Sequence, residues 1–274
     1  MFTQEALQEL AQADAIRAAE SSITRQVETI VGLPESFKLH DLEQYMHLRR
    51  RLRGTMSTIS IGDFAAYTRD NKQTGAAVFV GAAQMQAVAV LNLGTPEEPG
   101  HADNRAVLTV PKTAAFAALL GIANGGAKTQ AAVAEFLEDW AEQVECENEA
   151  GESVATKHAV AAVRKISIEG TKRTEAAEQQ LSQSRSTFEQ VKATSTETLP
   201  VLIRMTTEPY KGLPARTFSV RLGIITGDKP ALVLRIVKLE THVEEMAEEL
   251  AGLVRASLDG DDVPVLLGEY SAKA

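Results

Sequence analysis

The chain has 274 residues, 44% hydrophobic and 24% charged, with 37 acidic against 28 basic side chains and a formal net charge of −9. This is ordinary globular usage, with length enough for a sizeable core in one large domain or two smaller ones. A pI near 5.2 excludes coating of nucleic acid by bulk charge. It leaves room for a local basic patch, whose field is screened within about 10 Å at moderate salt.

Residues 4–31 carry Leu7, Leu10, Ala11, Ala15 and Ala18 at helical spacing, which predicts an amphipathic helix stopped by Gly32 and Pro34. Its apolar face is mostly alanine, which suits either a docked helix or an arm held by a partner. Residues 40–53 predict a second helix, with Leu42, Tyr45, Met46 and Leu52 on one side and Gly54 at its end. "TMSTISI" follows as a β-branched strand. Ser60 and Asp63 make a capping box for a short helix with Phe64 and Tyr67 inward. Strands are predicted at 76–80, 86–93 and 105–110, with the loop "GTPEEPG" between the last two.

Helices are expected at 112–122 and 128–145, separated by the turn "NGG". The second carries Val133, Phe136, Leu137 and Trp140 on one face. Between Ala134 and Glu152 lie eight carboxylates and no Lys or Arg: Glu135, Glu138, Asp139, Glu142, Glu145, Glu147, Glu149 and Glu152. Segment 146–198 is polar, with "AVRKISIEG" a candidate strand and the remainder an exposed helix, a hairpin arm or a mobile stretch. "LPVLIRMTT", "RTFSVRLGII" and "ALVLRIVKL" read as strands, the last two joined by the hairpin turn "TGDKP". Apolar positions 243, 246, 247, 250, 253, 254 and 258 then form a helical stripe opened by a capping box of Thr241 and Glu244. "VPVLLGEY" closes as a short strand.

Strands in two runs with grouped helices predict an α+β fold, mainly antiparallel, with amphipathic N-terminal and C-terminal helices. The expected organisation is an N-terminal helical arm over residues 1–35 and an α+β body over 36–274, with a protruding segment at about 146–198. The single cysteine, Cys146, excludes an intrachain disulfide and fits a reducing cytoplasm. The first residues lack the basic and apolar regions of a secretory signal, and no run approaches the length of a membrane span.

Few motifs carry chemistry. "GGAKT" (125–129) resembles part of a phosphate loop, but Ala127 separates Gly126 from Lys128 and a helix, not a strand, precedes it. The histidines His40, His47, His101, His158 and His242 are scattered without ligand spacing. "HADN" (101–104) and "DGDD" (259–262) offer loop carboxylates but match no calcium loop, so solvated loops are expected. Cys146 sits in "VECEN", where neighbouring carboxylates are expected to raise its pKa. No catalytic residue, cofactor or metal is therefore expected. The carboxylates of 128–145 leave a metal-dependent hydrolase as an alternative. Their ordinary reading is a solvated face, and Glu135, Glu138, Asp139 and Glu142 could also face a partner.

"HLRRRLRG" (47–54) gathers Arg49, Arg50, Arg51 and Arg53. Arginine's planar fork suits phosphates. On a helix, Arg49, Arg50 and Arg53 would share one side. Three readings stay open: contact with single- or double-stranded DNA, aided by Lys172 and Arg173; pairing with the acidic helix, within a protomer or between subunits; or a solvated helix end.

Six blocks in order, "LHDLEQYM…RRRLRGT", "DFAAYTRDN", "QAVAVLNL", "HADNRAVL", "AAVAEFLEDW" and "PARTFSVRLGI", resemble the YfdQ-like family of phage and prophage proteins over residues 38–240. That family is of unknown function. The resemblance implies a phage or prophage protein acting in the bacterial cytoplasm, from genes often found near replication and recombination functions. It supplies no catalytic residues. The family tends to have Asn-Asp-His where this chain has Asn92, Leu93 and Gly94, and Asp-His-Arg where it has Asp103, Asn104 and Arg105. Those missing histidines weaken a hydrolase reading. The leading expectation is a non-enzymatic accessory protein, a homo-oligomer acting in phage DNA metabolism or host takeover. Its expected partners are its own copies, DNA or a phage recombination or replication protein, and no membrane.

Overall fold

A computed structural model describes residues 3–25, 42–166, 199–225 and 231–271. It has two compact units, Met1–Leu52 and Arg53–Ala274. In the first unit, helix α1 (Gln4–Arg25) exposes Leu7, Leu10 and Ile16. Beyond it, the helix expected over 40–53 does not form in its described part, residues 42–53. A single 3-10 turn at Glu43–Tyr45 gives way to extended backbone at Met46. The cause is physical: Leu42, Tyr45, Met46 and Leu48 are all exposed, so no buried face supports a helix this short. The clustered arginines would also repel one another across one turn.

The second unit is built on two five-stranded sheets, and the α+β class with mainly antiparallel pairing holds. Sheet 1 contains β1 (Gly54–Thr58), β2 (Ala77–Gly81), β3 (Gln86–Val90), β4 (Asn104–Thr109) and β10 (Val265–Leu267). Its order is β1-β4-β3-β2-β10. The central pairs are antiparallel, and the two outer strands join in parallel. Helices α2 (Ile61–Asn71) and α6 (Leu239–Ser257) pack on this sheet and on each other. Phe64 and Ala65 of α2, and Met246, Leu250 and Val254 of α6, join Val78, Val80, Ala87, Ala89 and Leu108 in one core.

Sheet 2 contains β5 (Val144–Glu147), β6 (Ser153–Val154), β7 (Leu202–Thr207), β8 (Arg216–Ile225) and β9 (Ala231–Ile236). Its order is β6-β5-β7-β8-β9, antiparallel throughout. Strict alternation buries Cys146, Ile203, Met205, Phe218, Val220, Leu232 and Leu234 on one face. Helix α3 (Ala114–Ala123) packs against β9, and its Phe116 ring lies 4.9 Å from that of Phe218. Helices α4 (Gln130–Asp139) and α5 (Thr156–Arg164) pack together, and the Gln130 side chain donates to the Val163 and Ile166 carbonyls at the end of α5.

The cap expected at Ser60 holds, and two unforeseen ones join it. Ser60 Oγ accepts from Asp63 N–H at 3.2 Å, and Thr113 and Thr129 cap α3 and α4 in the same way. Other expectations are corrected. The acidic helix ends at Asp139, because Val144 and Cys146 alternate inward as strand β5. "AVRKISIEG" is not a strand over its described part; Ala159, Val160, Ala162 and Val163 bury a helical stripe of α5. Helix α6 starts at Leu239 behind Lys238, which has φ 53° and gives no side-chain cap, so the box of Thr241 and Glu244 does not form the helix start. The "TGDKP" turn and most of the polar segment, residues 167–198, lie outside the described residues. Among the described residues no helix is long and apolar enough to cross a membrane.

Candidate functional site

The arginine run reaches the surface as an irregular, bent segment. Arg49, Arg50 and Arg53 are exposed and Arg51 is half-buried. The segment is held locally: Arg50 N–H donates to Glu43 Oε1 at 3.3 Å. Tyr45 is 79% exposed and Leu48 73%, so bare apolar side chains precede the arginines along the segment. The shared helix side for Arg49, Arg50 and Arg53 does not exist. The segment instead bends at Met46, His47, Leu48, Arg50 and Arg51, with no regular face. Lys172 and Arg173 lie outside the described residues.

The acidic helix is shorter than expected and partly engaged. Glu135, Glu138 and Asp139 are exposed on α4, whereas Glu142 lies in the turn beyond it. Glu138 receives Arg164 of α5 through both oxygens, at 2.9 and 2.8 Å. The centre of the acidic face is thus paired inside the protomer, by a residue that sequence reasoning passed over.

The remaining motifs serve structure. In "GGAKT", Gly125 and Gly126 turn the chain at positive φ, Thr129 caps α4, and Lys128 exchanges two backbone hydrogen bonds with Leu232 at the rim of sheet 2. That is a turn and an edge plug. In "HADN", Asn92 Nδ2 donates to Asp103 Oδ1 at 2.9 Å, and Asn92 Oδ1 accepts from Asn104 N–H at 3.0 Å. In "DGDD", Asp261 is not solvated as expected: Arg69 Nε reaches it at 2.9 Å, Lys72 also reaches it, and its side chain is only 12% exposed. Cys146 is buried, and its thiol is pushed up to about 11; burial causes the shift, not the neighbouring carboxylates. No group of three or more His, Cys, Asp or Glu among the described residues is arranged to hold a metal ion.

A second set of arginines was not visible in sequence. On the outer face of sheet 2, Arg221 of β8 lies directly opposite Arg235 of β9, and Arg204 of β7 is diagonal to Arg221. Arg204, Arg221 and Arg235 are exposed. Only the strand register brings together three side chains that lie far apart along the chain.

No curated protein and no solved structure matches the chain. A family model described as "Uncharacterized conserved protein (DUF2303)" matches residues 3–270. The chain belongs to this conserved family, DUF2303.

Proposed function

We propose that the chain is a non-enzymatic accessory protein of a phage or prophage, resembling the YfdQ-like group, which acts in phage DNA metabolism by holding nucleic acid on arginine side chains. It would do so as a homo-oligomer in the host cytoplasm. The observation that carries this reading is the strap: Arg49, Arg50 and Arg53 stand exposed on an irregular, non-helical segment that also leaves Tyr45 and Leu48 bare. Exposed arginines can each meet a separate phosphate, and a nearby ring offers a stacking surface. The competing reading, pairing with the acidic helix, is weakened because Glu138 already holds Arg164.

The test is fluorescence anisotropy with labelled single- and double-stranded DNA. The wild-type protein should bind at low salt. The triple variant R49A/R50A/R53A should lower the magnitude of the log–log salt slope by roughly 2–3. Absence of binding to either form at low salt overturns the reading. Light scattering tests the oligomer, and a 29.5 kDa monomer at micromolar concentration would reject it.

A further inference from the structure

The outer face of sheet 2 has an arrangement that folding alone does not favour. Directly opposed like charges on neighbouring strands are destabilising. Yet Arg221 and Arg235 are register partners on exposed positions. Neither has a hydrogen-bond or ion-pair partner among the described residues. The chain has 37 carboxylates to offer, but none stands anywhere in β7, β8 or β9. The nearest on this sheet are Glu145 and Glu147 of β5, and Glu147 is occupied by Arg204 at 3.0 Å. The outward positions around the arginines carry hydroxyls and aliphatic side chains, with Leu202 the register partner of Arg221 and Ile225 exposed further along β8. Ser219 is the register partner of Arg204, and Thr206 and Thr217 share a 2.8 Å hydrogen bond.

We propose that this face, centred on Arg221 and Arg235 with Arg204 beside them, is a second surface for nucleic acid, one that seats the sugar–phosphate backbone. The proposal deepens the nucleic-acid reading above and rests on it. Adjacent strands lie about 4.8 Å apart, so the three arginines span about 10 Å across β7, β8 and β9. Two guanidinium forks facing each other at this spacing can close on one phosphate, which removes their mutual repulsion. The Ser219 hydroxyl then lies toward the next phosphate along the strand, while Arg204, held by Glu147, borders the surface. No aromatic residue lies on the exposed positions of β7, β8 and β9, so the surface holds backbone without stacking or reading bases.

The experiment compares full-length wild type, R221A/R235A, R221K/R235K and R49A/R50A/R53A, using labelled oligothymidine and a labelled duplex across a salt series. The sheet variant R221A/R235A should bind roughly tenfold more weakly, with the slope reduced by about 0.7 on the single strand or about 0.9 on the duplex, since the pair holds one phosphate. The lysine variant keeps the charge, so it should keep the slope while losing affinity through its missing forks. The unfolding midpoint of R221A/R235A should be unchanged or higher, because the repulsion is gone; a marked fall would mark the pair as structural and count against the proposal. If R221A/R235A matches wild type in affinity and slope while the strap variant does not, the sheet surface is rejected and the strap reading stands. If the strap variant matches wild type and the sheet variant does not, the strap is rejected and this surface stands. If the wild type binds neither probe, both fall.

Discussion

Arg216 on β8 reaches Glu249 on α6 at 2.5 Å, and its other terminal nitrogen meets Glu245 at 3.1 Å and the His242 carbonyl at 3.2 Å. The guanidinium is only 12% exposed, while Glu249 and Glu245 are 33% and 55% exposed. The His242 ring also packs edge-on to Phe218 of sheet 2 at 5.0 Å. This one arginine therefore ties the helix that covers sheet 1 to the second sheet.

Breaking that tie should show unequal costs. E249A leaves Glu245 as a partner, so it should cost about 1 kcal/mol. E245A/E249A strands a largely buried guanidinium and should cost roughly 3 kcal/mol, more than the sum of the single changes. Urea unfolding of both single variants and the double variant measures the coupling. Additive costs would mean that the two carboxylates act independently.

The loop joining β3 to β4 is closed by backbone contact. A Cβ on Gly75 would sit 1.8 Å from the Gly94 carbonyl oxygen, at a φ of +74°. G75A is expected to destabilise by more than about 3 kcal/mol, since both the clash and the left-handed backbone oppose it. Gly126 has a similar φ of +79° but open space around it. G126A should therefore cost only about 1 kcal/mol. Thermal melts of the two variants separate contact from conformation: equal losses would remove the clash as the cause.

Cys146 gives a pH dependence with a definite sign. Its thiol is raised from 9.0 to about 11 by burial, so the folded chain keeps its proton where the unfolded chain has lost it. Stability from this group is complete below about pH 9 and falls as pH rises toward 11. The slope is at most about 1.4 kcal/mol per pH unit. Tyr210, also raised by burial, adds a decline of the same sign at higher pH. C146A should lack the first share of the decline, and native Cys146 should resist a thiol reagent at pH 8 until denaturant is added. Rapid labelling of the native protein would contradict the burial.

Most strands and most helices of the second unit were legible because their patterns are local, β5 and β6 being the strands missed. β7, β8 and β9 alternate residue by residue, and α6 keeps a stripe from Met246 to Val254. Errors arose where tertiary context decides. Residues 40–53 have helical spacing but no surface to bury, and α5 looked strand-like until α4 supplied a partner for Val160 and Val163. The acidic run looked like one face because sequence distance hid the turn at Glu142, which sends Glu145 and Glu147 onto a strand. The strap was visible as composition, whereas its irregular, non-helical course was not. The arginine trio depends on register, which no local pattern in the chain encodes.

The acidic side chains at the end of α4 yield a final prediction, which bears on what the arginine strap faces. Glu135, Asp139 and Glu142 are exposed, and Glu138 is held by Arg164. If the strap contacts nucleic acid, neutralising the three free carboxylates in E135Q/D139N/E142Q removes only long-range repulsion of phosphate. Association should then quicken at low salt, the gain should fade at high salt, and the oligomeric mass should stay constant. If the strap of one copy instead grips this helix on another, the same variant should lose mass by light scattering. R49A/R50A/R53A should then lose it too. Stopped-flow association and light scattering on the same two variants separate the outcomes: a change of mass places the arginines against protein, and a salt-sensitive change of on-rate alone places them against phosphate.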